Sequence, residues 1–299
     1  MVAKFRGTFV ALVTPFDRRG ALDIPALERL IEHCIQGGVD GLVPCGTTGE
    51  AATLDRDEYH KVVEITLSAA NGRIPVIVGA GSNNTKLAVE KARFAKEAGA
   101  TAVLSVVPYY NKPTQEGLYR HFATLVESAD VPVVVYNIPG RSAVEIAPET
   151  LKRLWVDERI RGLKDASGGV YYTMDLVHSG LPDGFSILSG DDSLTLALIA
   201  CGAHGCISVA ANEIPGPFTR LTHLALDGQT ETAREILNQY LDLMNVNFIE
   251  SNPAPVKTAL GLMGLIEAHT RAPICELSAS SLVRLRHVLL QVGLIPGQA

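Results

Sequence analysis

The stretch 102–136, AVLSVVPYYNKPTQEGLYRHFATLVESADVPVVVY, decides the fold. It opens on an apolar run, Ala102 to Val107, passes through a turn rich in Pro, Tyr and Asn, and enters a segment of helical length, Gln115 to Ser128. A second apolar run, Val133 to Tyr136, follows. Short runs that are apolar at every position are the pattern of strands buried on both faces, and an amphipathic segment between two of them is a crossover helix of a parallel sheet. The alternation extends in both directions. Further candidate strands lie at Thr8 to Val13, Gly41 to Val43, Val76 to Val78, Gly162 to Lys164, Ser186 to Leu188 and Gly205 to Ser208, which makes eight. Helices are expected at Ile24 to Gln36, Asp55 to Ala70, Thr85 to Ala98 and Asp192 to Ala200, with Gly37-Gly38, Gly72, Gly99 and Gly202 as C-terminal stops. Eight such units in about 225 residues predict an α/β fold of the closed (β/α)8 TIM-barrel type rather than an open doubly wound sheet. Past Asp227-Gly228 the alternation ceases, and Thr230 to Asn245, Pro255 to Leu265 and Ser278 to Gln291 read as consecutive helices. The expected organisation is a barrel over 1–227 and a small C-terminal helical region over 228–299.

Composition removes several classes of function. The 299-residue chain is 47% hydrophobic and 19% charged, with a net charge of −6, which gives no basic footprint for nucleic acid or an anionic membrane. No apolar run approaches the roughly 20 residues of a membrane span. The start, Met1-Val2-Ala3-Lys4-Phe5-Arg6, reads as leading directly into a strand without the apolar core of a signal peptide. The five cysteines, Cys34, Cys45, Cys201, Cys206 and Cys275, are odd in number and scattered, so reduced thiols in a cytoplasm are expected. Cys201, His204 and Cys206 are spaced like part of a metal set, but a helix end separates them and no fourth ligand lies nearby, so no metal is expected. Gly79-Ala80-Gly81-Ser82-Asn83-Asn84 lacks the third glycine of a dinucleotide fingerprint, and Ser189-Gly190-Asp191-Asp192 places carboxylates where a phosphate-binding barrel would hold an anion.

Barrels of this kind build their sites from the C-terminal ends of their strands, and here those ends carry reactive groups. Of the nine lysines, Lys61, Lys86, Lys91, Lys96 and Lys152 fall on helical stretches, whereas Lys164 ends the run Ile160-Arg161-Gly162-Leu163-Lys164-Asp165-Ala166-Ser167. An amine enclosed in apolar surroundings loses solvation of its charged form and can then attack a carbonyl to give a Schiff base. The alternative is a lysine paired with a neighbouring carboxylate such as Asp165. Strand two ends in Pro44-Cys45-Gly46-Thr47-Thr48-Gly49-Glu50, whose hydroxyls and closely spaced N–H groups can grip a carboxylate. Strand four ends in Pro108-Tyr109-Tyr110-Asn111-Lys112-Pro113 and strand five in Tyr136-Asn137-Ile138-Pro139-Gly140-Arg141. Tyrosines at such ends can be packing, Arg141 can pair with Glu145, and the Gly-Thr-Thr-Gly segment can be a plain turn. Packing alone, however, does not call for polar groups at this rim after four different strands. Together they suggest carbonyl condensation: lysine for the imine, a tyrosine for proton movement, and arginine for an acidic substrate.

Gly46-Thr47-Thr48-Gly49-Glu50, Tyr109-Tyr110-Asn111-Lys112-Pro113, Tyr136 to Arg141, Gly162 to Ser167 and Asn252-Pro253-Ala254-Pro255-Val256-Lys257 together resemble the dihydrodipicolinate synthase family of pyruvate-dependent class I aldolases, over essentially the whole chain. The resemblance implies a 4-hydroxy-tetrahydrodipicolinate synthase activity in lysine and diaminopimelate biosynthesis, with no cofactor. It implies that Lys164 forms the imine with pyruvate, that Thr47 and Thr48 bind its carboxylate, and that Tyr136, Thr48 and Tyr110 form a proton relay, Tyr110 crossing from a neighbouring subunit of a homotetramer. It further implies that Arg141 holds the carboxylate of L-aspartate 4-semialdehyde and that Gly190 and Ile207 line the pyruvate pocket through backbone groups.

The competing readings within the superfamily are an N-acetylneuraminate lyase or a 2-keto-3-deoxy sugar acid aldolase. Those lyases typically carry serine where Thr47 stands and lack arginine at the position of Arg141, so both positions favour the synthase. A non-catalytic protein on a retained barrel would be expected to have lost some of these residues. In lysine-inhibited relatives, histidines just after the Gly-Thr-Thr-Gly-Glu motif and a glutamate on the third helix hold the effector. Here Arg56, Tyr59 and Leu87 stand at the matching positions, with Asn83 and Tyr109 retained, so weak or absent inhibition by lysine is expected.

Overall fold

The computed structural model describes residues 5–297. Met1 to Lys4, and with them most of the expected lead into the first strand, lie outside the described residues, as do the last two residues of the region 228–299. Eight parallel strands form in sequence: β1 (Gly7–Ala11), β2 (Gly41–Val43), β3 (Ile77–Gly79), β4 (Ala102–Val106), β5 (Val133–Asn137), β6 (Ile160–Asp165), β7 (Ser186–Ser189) and β8 (Gly205–Ser208). They pair in the order β2-β1-β8-β7-β6-β5-β4-β3. A parallel bridge between Leu42 and Val76 joins the two ends of that order and closes the barrel. Every residue of β5 is buried, as a strand between a packed barrel interior and an outer ring of helices must be.

The outer helices are α1 (Ile24–Gln36), α2 (Arg56–Ala70), α3 (Thr85–Glu97), α4 (Gln115–Ala129), a four-residue α5 (Pro139–Ser142), α6 (Pro148–Leu154), α7 (Tyr171–His178), α8 (Thr195–Ala200) and α9 (Pro215–Leu226). Caps account for the sharper boundaries. Asp55 accepts from the Glu58 amide at 2.9 Å while Glu58 accepts from the Asp55 amide at 3.1 Å, a reciprocal box that starts α2. Past the end of that helix Gly72 sits at φ +69°, a conformation open to glycine at no steric cost.

Most boundaries fall within one to three residues of the sequence reading; β1 ends at Ala11 rather than Val13, and α11 at Leu262 rather than Leu265. Two of the differences have a tertiary reason. β6 begins at Ile160, before Gly162, because Ile160 pairs with Val133 and half-buried Arg161 is the extra residue of a bulge before Gly162 meets Val134. α8 begins at Thr195, after Asp192, because the Asp192 carboxylate is drawn inward to accept from the Val209 and Ala210 amides at 3.1 and 2.8 Å.

After the barrel come α10 (Thr230–Val246), α11 (Ala254–Leu262) and α12 (Ala279–Gln291). Leu243, Met244, Val256, Leu260, Leu285 and Leu289 join the same apolar core as the barrel helices, so this region packs against the barrel wall. The segment between α10 and α11 is thereby carried to the end of the barrel where the strands terminate.

Candidate active site

Lys164 is buried on β6, one rung across from Tyr136 on β5. The ammonium lies 4.3 Å from the centroid of the Tyr136 ring. Successive strand residues face opposite ways, so Asp165 points outward, where its carboxylate accepts from the Thr173 hydroxyl at 2.7 Å and the Ser167 amide at 3.0 Å. The Lys164–Asp165 pairing considered from sequence therefore does not form. Among the described residues, Lys164 has no carboxylate within ion-pair distance. Gly190, at the end of β7, donates its amide to Asp165 O at 2.7 Å, and a Cβ there would stand 3.0 Å from Lys164 Cε and 2.8 Å from Ala166 Cβ. Its missing side chain keeps the space beside the amine open. Ile207 is buried on β8, one step beyond the Ser189–Cys206 rung and two strands from Lys164.

The loop after β2 is held from three sides. Thr14 Oγ1 donates to Gly49 O at 2.7 Å. Thr48 is buried, and its hydroxyl accepts from Asn252 Nδ2 at 3.0 Å. Glu50 is buried too: one oxygen accepts from Lys257 Nζ at 2.6 Å and the other from the Arg271 amide at 3.0 Å. Lys257 also donates to Thr14 O at 2.8 Å and stands over the Phe16 ring. Burial pulls its pKa below the usual lysine value, and the Glu50 carboxylate opposes that shift. Lys164 and Lys257 are the buried lysines among the described residues. Lys257, Glu50 and Asn252 were not picked out as site-forming from sequence, because their partners lie more than two hundred positions away along the chain. The available signals were the place of all three residues in motifs that carry the family resemblance and a lysine in the largely apolar stretch Pro255 to Leu260.

Backbone strain concentrates at the same rim. Of the seven non-glycine residues with positive φ among the described residues, Asn71 and Asp130 close α2 and α4, while Cys45, Glu50, Tyr110, Lys112 and Ala143 follow β2, β4 and β5. Residues held in this region cost of order 1–3 kcal/mol each and gather where a site is pre-shaped. Tyr110, at φ +72°, is 88% exposed and does not line the cavity that Tyr136 lines, and among the described residues no hydrogen bond joins the two. Lys112 is exposed beside it.

A cavity of about 870 Å3 opens at the rim, with Thr47, Tyr109, Tyr136, Arg141 and Asn252 in its lining. Lys164 is not among the lining residues; Tyr136, over whose ring the Lys164 ammonium stands, is. Arg141 lies in α5 and is exposed; among the described residues it makes no ion pair, so the Glu145 pairing weighed from sequence is not made. Arg56, Tyr59 and Leu87 line the same cavity, together with Lys91, Arg93 and three carboxylates the sequence reading did not count there, Asp55, Glu90 and Glu97. Cys206 Sγ lies 3.6 Å from Asp192 Oδ1 and His204 Nδ1 accepts from the Ile187 amide at 3.1 Å. Among the described residues no three His, Cys, Asp or Glu side chains gather as a metal set, and no helix is long and apolar enough to cross a membrane.

The sequence matches the Dihydrodipicolinate synthetase family over residues 4–292. The chain belongs to this family. It is 46% identical over 291 residues to the 4-hydroxy-tetrahydrodipicolinate synthase of Pelobacter propionicus, a match covering 97% of this chain and 100% of the relative. The solved dihydrodipicolinate synthase from Aquifex aeolicus superposes with a TM-score of 0.94 at 46% identity, covering 97% of this chain and 99% of that one. A structure described as a monomeric dihydrodipicolinate synthase variant superposes with a TM-score of 0.95 at 41% identity, covering 97% and 98% of the two chains. A dihydrodipicolinate synthase family member is an enzyme, a lyase of the class I aldolase type, and the barrel with its C-terminal helices is the architecture of its solved relatives.

Proposed function

We propose that the chain is a 4-hydroxy-tetrahydrodipicolinate synthase that condenses pyruvate with L-aspartate 4-semialdehyde, with Lys164 as the nucleophile. The observation that carries this reading is Lys164 itself: a buried amine without a carboxylate partner among the described residues, 4.3 Å from the Tyr136 ring centroid, at the C-terminal end of a barrel strand. The neutral amine attacks the ketone carbon of pyruvate. Loss of water leaves a protonated imine, which acidifies the adjacent methyl group; removal of a methyl proton gives an enamine, whose carbon attacks the aldehyde. No cofactor is called for, because the imine supplies the electron sink.

On this reading the Thr47 and Thr48 loop grips the pyruvate carboxylate, with Gly190 and Ile207 lining the pocket through backbone groups. The Tyr136 phenol passes protons through Thr48 to Tyr110 of a neighbouring subunit. The 88% exposure of Tyr110 and its strained backbone fit a side chain that serves another chain's site, and we infer a homotetramer acting in the cytoplasm. The barrel (1–227) and the helical region (228–299) form one working unit, since the second supplies Asn252 and Lys257 to the first. Arg56, Arg93 and the half-buried Lys91 ammonium disfavour a cationic effector at their side of this cavity, against the Asp55, Glu90 and Glu97 carboxylates that share the lining, and we infer that inhibition by lysine is weak.

The deciding experiment is a coupled assay comparing pyruvate plus aspartate semialdehyde with pyruvate plus N-acetylmannosamine and with sugar acid cleavage; turnover only in the second or third pairing would overturn the synthase reading. Arg141→Ala lowers kcat/KM for the semialdehyde by about 10- to 150-fold, the 1.5–3 kcal/mol of a hydrogen bond to a charged group, and leaves the KM for pyruvate nearly unchanged. Equal losses for both substrates would make Arg141 structural. Tyr110→Phe lowers turnover by roughly a hundredfold while borohydride still traps pyruvate, and a fully active variant would remove Tyr110 from the relay.

A further inference from the structure

Asn252 sits between α10 and α11, outside the barrel in sequence but at its mouth in space. It is 4% exposed, its Nδ2 donates to Thr48 Oγ1 at 3.0 Å, and its Oδ1 is buried without a hydrogen-bond partner. It lines the cavity beside Thr47, Tyr136 and Arg141.

A threonine hydroxyl has one proton to give and two lone pairs to receive. The Nδ2 group can only donate, so it occupies one lone pair of Thr48 and cannot take the Thr48 proton. Among the described residues, Thr48 Oγ1 donates to no other group. Its O–H is therefore committed away from Asn252. A relay hydroxyl that is free to rotate spends part of its time aimed the wrong way; one whose lone pair is held by a donor keeps only the two remaining staggered orientations, both pointing away from that donor. Leucine at 252 would bury the Thr48 oxygen without a donor, and an ionised aspartate would pull the Thr48 proton the opposite way.

We infer that Asn252 is a positioning residue that sets the direction in which Thr48 hands on its proton, an inference that rests on Thr48 belonging to the relay. Asn252 touches no reacting atom on this account and acts through Thr48. An amide suits the place because Nδ2 can only donate, and so holds the threonine oxygen without competing for its proton.

The test is a double-mutant cycle of Thr48→Val and Asn252→Ala, read by kcat, by KM for pyruvate and by borohydride trapping of pyruvate followed by intact mass. Asn252→Ala is expected to lower kcat about ten- to a hundredfold, to leave the pyruvate KM within about twofold and the trapping intact, and to have no further effect in the Thr48→Val background. Asn252→Asp, of the same size, is expected to keep the wild-type unfolding midpoint and to lose at least as much kcat as the alanine variant, which separates lost direction from lost packing. Additive losses in the double variant, or wild-type turnover in Asn252→Asp, would overturn the inference and leave the relay standing. A Thr48→Val enzyme with wild-type kcat would remove Thr48 from the relay and the inference with it, and absence of trapping in the wild type would refute the imine reading separately.

Discussion

Lys164→Ala abolishes covalent capture of pyruvate by borohydride and lowers turnover by at least about a thousandfold, in the range seen when a covalent nucleophile is removed. The geometry leaves no substitute. Lys112, which sequence alone would put next in line, is exposed on the strained loop after β4, so its ammonium stays fully hydrated. Lys257 is as enclosed as Lys164, but its ammonium is bound to the Glu50 carboxylate at 2.6 Å and to Thr14 O at 2.8 Å. An amine in that position would have to break an ion pair inside the protein before it could attack a ketone. Intact-mass analysis after reduction decides the matter: undiminished labelling in the alanine variant would move the nucleophile to another lysine, and peptide mapping would say which.

Lys257→Ala destabilises the fold by about 3–5 kcal/mol, the cost of leaving one member of a buried ion pair without its partner. Both side chains have zero exposure, so solvent does not screen the loss. The second variant in the comparison, Lys257→Met with Glu50→Gln, recovers most of that loss, because glutamine still accepts from the Arg271 amide and its amide can donate to Thr14 O, while methionine fills the volume of the lysine stem. Urea unfolding of the wild type and the two variants reads the effect directly. A Lys257→Ala protein as stable as wild type would show that the pair contributes nothing beyond the hydrophobic isostere, and a double variant as unstable as the single would assign the loss to packing around Phe16 rather than to charge.

The parts of the fold legible in the sequence are those in which local pattern and tertiary demand agree. β4 and β5 are mostly valine, leucine and alanine, with all residues but Val106 buried, and α1 runs over the expected Ile24–Gln36, with Asp23 capping its start and Gly37 at its end. Lys164 was legible for the opposite reason, as a charge where pattern demands an apolar residue. Illegible were features made by distant partners. Arg161 looks like a loop residue until Ile160 pairs with Val133. Asp192 looks like a helix cap until two amides from the loop after β8 claim its carboxylate. Asn252 is an ordinary turn residue in sequence, and only the packing of α10 and α11 against the barrel brings its amide to Thr48. Arg141 and Tyr110 were located correctly at strand ends, yet their freedom from partners within the chain is a fact of three dimensions.

The ties between the rim loop and the C-terminal region also fix when the enzyme is finished. On a ribosome, all eight strands have been synthesised once Ser208 is added, and the barrel wall can close. The loop from Pro44 to Glu50 then still lacks Asn252, Lys257 and the Arg271 amide, which reach back across 204, 207 and 221 positions. Contacts of such separation form late because the intervening chain must be ordered first. Competence at the mouth is thus the last property this polypeptide acquires, and a product terminated early, anywhere between 209 and 251, would carry its reactive lysine on a barrel whose threonine loop has nothing to set its shape.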